Sequence, residues 1–302
     1  MINRTLVSIV IPTYNRRELL GKCLKSIYAQ MNDRYEYEII VVNDGSTDDT
    51  EIYLKDLNST YHNLIYISQE NSGHSIARNV GFSRARGKII ISLDDDCMPL
   101  DNWLNGILQE FNGNPGVSII CGRILNPTNT KIAWAEYLID FSLWMSSRRK
   151  ENIKIIYTAN VAYRREVIER YKFQDDGKYF GYRDSIFNYE LIKKGYKAVY
   201  CPNIKVAHYK WDNDGSGDKR ALFIQEQIRR GKGFLADGYK VHGKTGYAFI
   251  RLPGIAYIIV KSILILLRSI FSGLLIKYIL YFDYILLGLW YQSSAIKKRE
   301  MG

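Results

Sequence analysis

The chain has 302 residues, enough for one or two domains with a sizeable core, and its apolar (47%) and charged (24%) fractions are those of an ordinary globular protein. Its net charge of +11 points to an anionic partner: nucleic acid, a lipid surface or a phosphate-bearing ligand. Four cysteines, Cys23, Cys97, Cys121 and Cys201, lack CxxC spacing, which argues against a zinc site or a disulfide framework and fits a reducing cytoplasm.

Met1–Arg4 leads directly into an apolar run too brief for a signal-peptide core. Val7–Ile11 reads as a buried strand that Pro12 should stop. After Thr13-Tyr14-Asn15-Arg16, a helical pattern puts Leu20, Cys23, Leu24 and Ile27 on one face. Glu38–Asn43 is a second strand, ending in Asp44-Gly45-Ser46, and the spacing of Ser46 and Asp49 predicts a helix from Thr47. Leu64–Ser68 is a third strand. Asn71-Ser72-Gly73 opens a helix carrying Ile76, Ala77, Val80 and Ala85, which Gly87 ends. The strand Ile89–Leu93 follows and runs into Asp94, Asp95, Asp96, Cys97, Met98 and a Pro99 that should prevent its continuing.

Strand and helix in alternation, with short connections, predict a mostly parallel sheet flanked by helices. Ligands of such sheets bind outside the carboxyl ends of the strands. Tyr14, Asp44 and the three aspartates all fall at such ends, so one shared cleft accounts for their placement. Three adjacent carboxylates repel one another unless a cation or hydrogen-bond donors compensate; a solvated acidic turn is the plain alternative.

Beyond Pro99, Trp103–Phe111 reads as a helix, and Val117–Cys121 and Ile155–Ala159 as strands. Helices are expected near Arg164–Glu166 and from Asp184 to Gly195, strands at Lys197–Cys201 and Ile204–His208, and a loop at Trp211–Lys219. Residues 217–237 form a basic helical region. From Leu252 to Tyr291 the chain is strongly apolar, yet Lys261, Arg268, Lys277 and Asp283 interrupt it. No charge-free window reaches the ~20 residues of a spanning helix. Lys261 and Arg268 share a helix face, and Ser272-Gly273 offers a break. The expectation is a helical pair in the membrane interface, with packing on the protein's own core as the alternative. Lys297-Lys298-Arg299 would add attraction to anionic lipid.

The segments VSIVIPTYNR (7–16), VNDGSTDDT (42–50), NSGHSIARNVG (71–81), ISLDDD (91–96), TANVAYRR (158–165), FGYRDSIFNYEL (180–191) and GYKAVYCPNIKVAH (195–208) together resemble family 2 glycosyltransferases of the GT-A fold. The resemblance spans most of residues 5–210, with the motifs in the family's order. It implies a catalytic domain over 1–215, with a nucleotide-binding half (1–100) and an acceptor half (101–215). Residues 216–302 would be a basic, membrane-associating helical region. The implied reaction is metal-dependent, inverting transfer of a sugar from a nucleotide-sugar donor to an acceptor hydroxyl. The enzyme would sit in the cytoplasm at the inner face of the cell membrane, serving polysaccharide or lipid-linked glycan assembly.

On that resemblance Pro12, Tyr14 and Asp44 contact the nucleoside, Gly73 and Arg78 belong to the donor site, and Asp94 or Asp95 bonds the ribose. Asp44 could accept an imide hydrogen, favouring uracil or thymine over a purine. Asp96 binds the divalent cation, Mn2+ or Mg2+ by its hard oxygen donors, and His208 resembles a histidine that contacts metal or diphosphate. Asp184 occupies the position of the catalytic base, but Arg183 stands where the family has Glu, and Asp175 and Asp176 are alternatives. Expected partners are the donor, a glycan or lipid-linked acceptor and an anionic membrane surface, not nucleic acid.

A sugar-1-phosphate nucleotidyltransferase would carry a glycine-rich basic loop after the first strand, which Pro12-Thr13-Tyr14-Asn15 is not. A nucleic-acid binder finds support only in the charge. A donor-binding subunit without turnover is favoured by Arg183 alone.

Overall fold

The computed structural model describes residues 6–31, 35–173, 183–210, 218–230 and 254–300; for residues 143, 183, 184, 254, 255 and 295–300 it describes the backbone only. The chain divides into two compact units. One comprises residues 1–123, 149–175 and 187–208, the other 124–148, 176–186 and 209–302.

In the first unit β1 (Leu6–Thr13), β2 (Glu36–Asp44), β3 (Leu64–Gln69) and β4 (Ile89–Leu93) form a parallel half-sheet in which β1 pairs with β2 and β4, and β2 with β3. Helices α1 (Arg17–Tyr28), α2 (Thr50–Thr60) and α3 (His74–Arg84) make the crossovers. β4 is buried at every residue, as its unbroken apolar pattern requires. α3 lies so close to β1 that a Cβ on Gly81 would come within 2.3 Å of Val10 Cγ1, so only glycine fits there.

The sheet continues with β5 (Cys97–Pro99), β6 (Ile119–Leu125), β7 (Lys150–Glu151), β8 (Asn160–Arg164) and β9 (Ala198–His208). The order is β3-β2-β1-β4-β8-β6-β9-β5, with β7 also on β9. β8 is antiparallel to β4 and β6, while β5 and β7 are antiparallel to β9. α4 (Trp103–Gly113), α6 (Arg165–Arg170) and α7 (Arg183–Lys193) complete the α/β architecture.

Several elements differ from the sequence expectation, each for a local reason. β1 runs through Pro12 to Thr13, because β4 pairs only as far as Val10 and leaves that edge without a ladder partner. No strand continues past Pro99, as expected, but the three residues up to it form the short β5, which the sequence did not indicate. β9 is one strand through Pro202, since β7 pairs at 199–200 and β5 at 206–208, leaving the proline between them. β8 begins five residues later than expected, at Asn160, which lies opposite the last residue of β4. Buried Asn160 accepts from Trp103 Nε1 at 2.9 Å and donates to the carbonyls of Arg123 and Ile204 at 3.2 Å. α2 starts at Thr50 rather than Thr47, and Thr47 stays in a loop, its N–H donating to Asn15 Oδ1.

The second unit is helical: α5 (Lys131–Phe141), α8 (219–230), α9 (Gly254–Phe271), α10 (Leu275–Leu280) and α11 (Phe282–Glu300). Thr130 Oγ1 accepts from Ala133 N and caps α5. Lys261 and Arg268 do share a face, but it turns inward: Lys261 donates to Gln292 Oε1 at 2.8 Å and Arg268 to Ser142 Oγ at 3.0 Å. The outward face is apolar, with Phe271 88% and Ile276 72% exposed. Among the described residues no helix is long and apolar enough to cross a membrane. Residues 231–253, including most of the expected basic region's end, lie outside the described residues.

A buried carboxylate fastens the parallel half. The register sets Glu38 opposite Ser8, whose hydroxyl donates to Glu38 Oε1 at 2.6 Å. Arg86, in the turn before β4, donates its backbone N–H at 2.6 Å and Nε at 2.8 Å. Burial pushes the carboxyl up, but the bonds from Ser8 and Arg86 outweigh it and leave it below its ordinary range. Its stabilising contribution is therefore present above that range and is lost as pH falls through the depressed folded value. Glu38→Gln is expected to lower the unfolding free energy at neutral pH by about 1.5–3 kcal/mol and to flatten the acid limb of the stability curve. Urea denaturation at a series of pH values measures both; an unchanged acid limb would contradict the assignment.

Candidate functional site

β4 ends at Leu93, and Asp94–Asp96 turn the chain back into β5. Because β5 lies antiparallel beside β9 with Cys97 opposite His208, the imidazole is delivered to the turn: His208 Nε2 is 3.3 Å from Asp96 Oδ1. Each carboxylate then meets its own compensating groups. Asp95, nearly buried, accepts from Thr13 Oγ1 at 2.7 Å and from Arg16 Nη1 at 3.0 Å. The same Arg16 nitrogen donates to Asp96 Oδ2 at 2.9 Å. Asp94, the most exposed of the three, accepts from Nη2 of the buried Arg78 on α3.

The neighbouring strand ends join through loop hydrogen bonds. Asp44, at the end of β2, accepts from Gln69 Nε2 at 2.7 Å, Ser72 N at 2.9 Å and Gly73 N at 2.9 Å, filling three of its roughly four acceptor positions. Gly45 follows at φ +75°, where a Cβ would lie 2.7 Å from Asn71 N, so the turn requires glycine. Gly73 precedes α3 and carries Arg78's helix toward Asp94. Asn15 donates its N–H to Ser46 Oγ and its Oδ1 accepts from Thr47, lacing the loop after β1 to the loop after β2. Tyr14, in the loop after β1, is half exposed, at 46%, while Pro12 is buried in β1.

The local electrostatics follow from crowding. Burial pushes the Asp95 carboxyl up, Arg16 pulls it down and Asp96 pushes it again, leaving it at about 6. Asp95 and then Asp96 hold Arg16 protonated more firmly than usual. Burial, with Asp96 adding, raises the Cys97 thiol well above its ordinary value, so it stays a neutral thiol 3.8 Å from Asp96 Oδ1.

Asp96, Cys97 and His208 place one donor atom each within 4.8 Å of one another. A carboxylate oxygen and an imidazole nitrogen suit a divalent cation with oxygen-rich coordination, and the protonated thiol is a poor third ligand. The residues present therefore fit a metal held mainly by Asp96 and His208, with a phosphate-bearing ligand supplying further oxygens.

Of the residues expected from sequence, Asp94, Asp95, Asp96, Arg78 and His208 lie in one connected cluster, and Asp44 with Gly73 anchors the helix that carries Arg78. Asp184 is the second residue of α7, its side chain outside the described set, and Asp175 and Asp176 lie outside the described residues altogether. The sequence reading left out Thr13 and Arg16, although both stand within the first motif. A cation two residues past Tyr14, facing three acids across the strand ends, was the available signal.

Residues 8–172 match the family described as Glycosyl transferase family 2. The chain is 31% identical over 230 residues to Glycosyltransferase AglE of Haloferax volcanii, covering 75% of this chain and 72% of that protein. It is 26% identical over 216 residues to the dolichyl N-acetyl-alpha-D-glucosaminyl phosphate 3-beta-D-2,3-diacetamido-2,3-dideoxy-beta-D-glucuronosyltransferase of Methanococcus voltae, covering 67% of this chain and 66% of that one. Among solved structures, the mannosyltransferase PcManGT from Pyrobaculum calidifontis, in complex with GDP-Man and Mn2+, is similar with a TM-score of 0.67 at 19% identity, over 99% of this chain and 88% of that one.

Proposed function

The chain belongs to glycosyl transferase family 2 and has the GT-A fold, and from that premise we propose that it transfers a sugar, with inversion, from a UDP-sugar to a hydroxyl of a lipid-linked or cell-surface glycan. The observation that carries this reading is the convergence of Asp94, Asp95 and Asp96 with Arg78, Arg16 and His208 at the strand ends. Asp94, exposed enough to be reached and oriented by Arg78, takes the ribose hydroxyls. Asp95 is committed to Thr13 and Arg16 and acts as support. Tyr14 offers its exposed ring to the base, and Pro12 and Gly73 border it. Asp44 keeps about one acceptor position for an imide hydrogen, which favours uracil; the GDP-Man complex belongs to the similar mannosyltransferase and sets the alternative to test.

Asp96 and His208 hold a divalent cation, with Mn2+ ahead of Mg2+ because an imidazole is among the donors. When bound, such a cation neutralises charge on the departing nucleoside diphosphate. Asp184, the position the resemblance gives to the base, takes the proton of the attacking hydroxyl. Asp184→Asn should therefore lose roughly 100-fold or more in turnover while retaining UDP affinity and binding UDP more tightly than GDP. Undiminished transfer would remove Asp184 as the base, and a preference for GDP would remove the uracil assignment.

The second unit would attach the enzyme to the membrane that carries the acceptor, at its cytoplasmic face. The name of the Methanococcus voltae relative gives it a dolichyl phosphate-linked acceptor, which supports a lipid substrate here. Further support comes from the outward apolar residues Ile259, Ile263, Ile270, Phe271, Ile276 and Ile279, and from the basic sequence Lys297-Lys298-Arg299. With Lys261 and Arg268 turned inward, attachment rests on apolar insertion with the tail's charge added. Phe271→Ser combined with Ile276→Ser is expected to abolish flotation with vesicles containing anionic phospholipid. Flotation equal to that of the unaltered protein would contradict it.

A further inference from the structure

The position of Arg16 bears on the entry of the cation as well as on the acids. Its Nη1 bridges Asp95 Oδ1 and Asp96 Oδ2, and the side chain is 41% exposed, on the short loop between β1 and α1. The two carboxylates it spans are 5% and 4% exposed, so neither has water enough to screen its neighbour. Asp96 is thus shared: Oδ2 faces the guanidinium, while Oδ1 faces His208 and the Cys97 thiol. A divalent cation at Oδ1 and the guanidinium at Oδ2 would stand a carboxylate's width apart, two like charges on one anion.

We propose that Arg16 is a displaceable counter-cation, which occupies Asp95 and Asp96 until a donor diphosphate arrives and draws its guanidinium away, opening Asp96 to metal. This rests on the reading of Asp96 and His208 as metal-holding residues. Charge supplies the reason. Asp94, Asp95 and Asp96 against Arg16 and Arg78 leave at most one excess negative charge. A bare divalent cation overshoots it, and a diphosphate, anionic and able to take two guanidinium hydrogens at once, restores the balance. Metal and nucleotide binding are then coupled, each favouring the other. The partial exposure of Arg16, unlike the burial of Arg78 beside Asp94, leaves its side chain room to move. Arg78 holds an acid in place and Arg16 yields one.

The test measures binding without turnover. Free Mn2+ is titrated against the protein and followed by its electron paramagnetic resonance signal, with and without UDP, for the unaltered chain, Arg16→Ala and Arg16→Gln. Near-ultraviolet circular dichroism checks that each variant is folded, and the glutamine variant, which keeps a hydrogen-bond donor toward the acids, serves if alanine disrupts the loop. In the absence of UDP both variants should bind Mn2+ about tenfold more tightly than the unaltered protein, an order of magnitude corresponding to loss of one competing contact. The gain in Mn2+ affinity on adding UDP should shrink in both. Mn2+ affinity unchanged or weaker in folded variants would overturn the proposal, making Arg16 a fixed structural partner, while leaving the metal reading intact. No Mn2+ binding by any of the proteins, with or without UDP, would overturn both.

Discussion

Mutual repulsion among Asp94, Asp95 and Asp96, at the end of a strand buried on both faces, is the constraint that the surrounding strand ends offset. Three carboxylates on successive residues cannot all ionise in a low-dielectric setting without compensation. Each is answered by a group from a different part of the chain: Asp94 by Arg78 on α3, Asp95 by Thr13 and Arg16 after β1, Asp96 by Arg16 and by His208 at the end of β9. Repulsion of this kind is tolerable where a ligand supplies a cation and phosphates, as the proposed donor would. An acidic turn of structural purpose only would face water, yet Asp95 and Asp96 are buried, at 4% and 3% exposure.

The fold supplies that convergence through register. Parallel pairing of β1 with β2 and β4 brings three loops to one edge, and the antiparallel pairing of β5 with β9 adds a fourth. The tethers that hold the edge in shape are ordinary ones. Asp44 gathers the N–H groups before α3, Asn15 ties the first loop to the second, and Gly81 lets α3 settle on the sheet. Glu38, deeper in the same half, fastens β1 and β2 to the turn before β4. Stability and site thus share their framework, which is why a change in the tethers would reach the carboxylates.

Much of this was legible in the sequence, and the gaps have physical causes. The four strands of the parallel half, and the placement of acids at their carboxyl ends, follow from apolar runs cut off by polar residues. Proline misled at Pro12, because its effect depends on whether a neighbouring strand asks for the missing N–H, and that is a tertiary fact. The apolar stretch before Asn160 looked like strand, whereas pairing begins at Asn160 because β4 ends opposite it. Ser46 looked like a helix start, but Thr47 and Asp48 remain in a loop tied to Asn15 and the helix begins at Thr50. On α9 the periodicity identified one face with Lys261 and Arg268 and could not say which way it turned; Gln292 and Ser142, far away in sequence, decide that. Arg16 went unselected for a similar reason, since a lone arginine in a loop acquires meaning only through the acids some 80 residues later.

The central claim is that these acids hold a cation-bridged diphosphate, and calorimetric titration of UDP with and without Mn2+ tests it most directly. The account predicts UDP binding at least about tenfold tighter with Mn2+, and that Asp96→Asn abolishes the difference while leaving metal-free UDP binding near its original strength. Equal affinity for UDP in the presence and absence of the metal would contradict it.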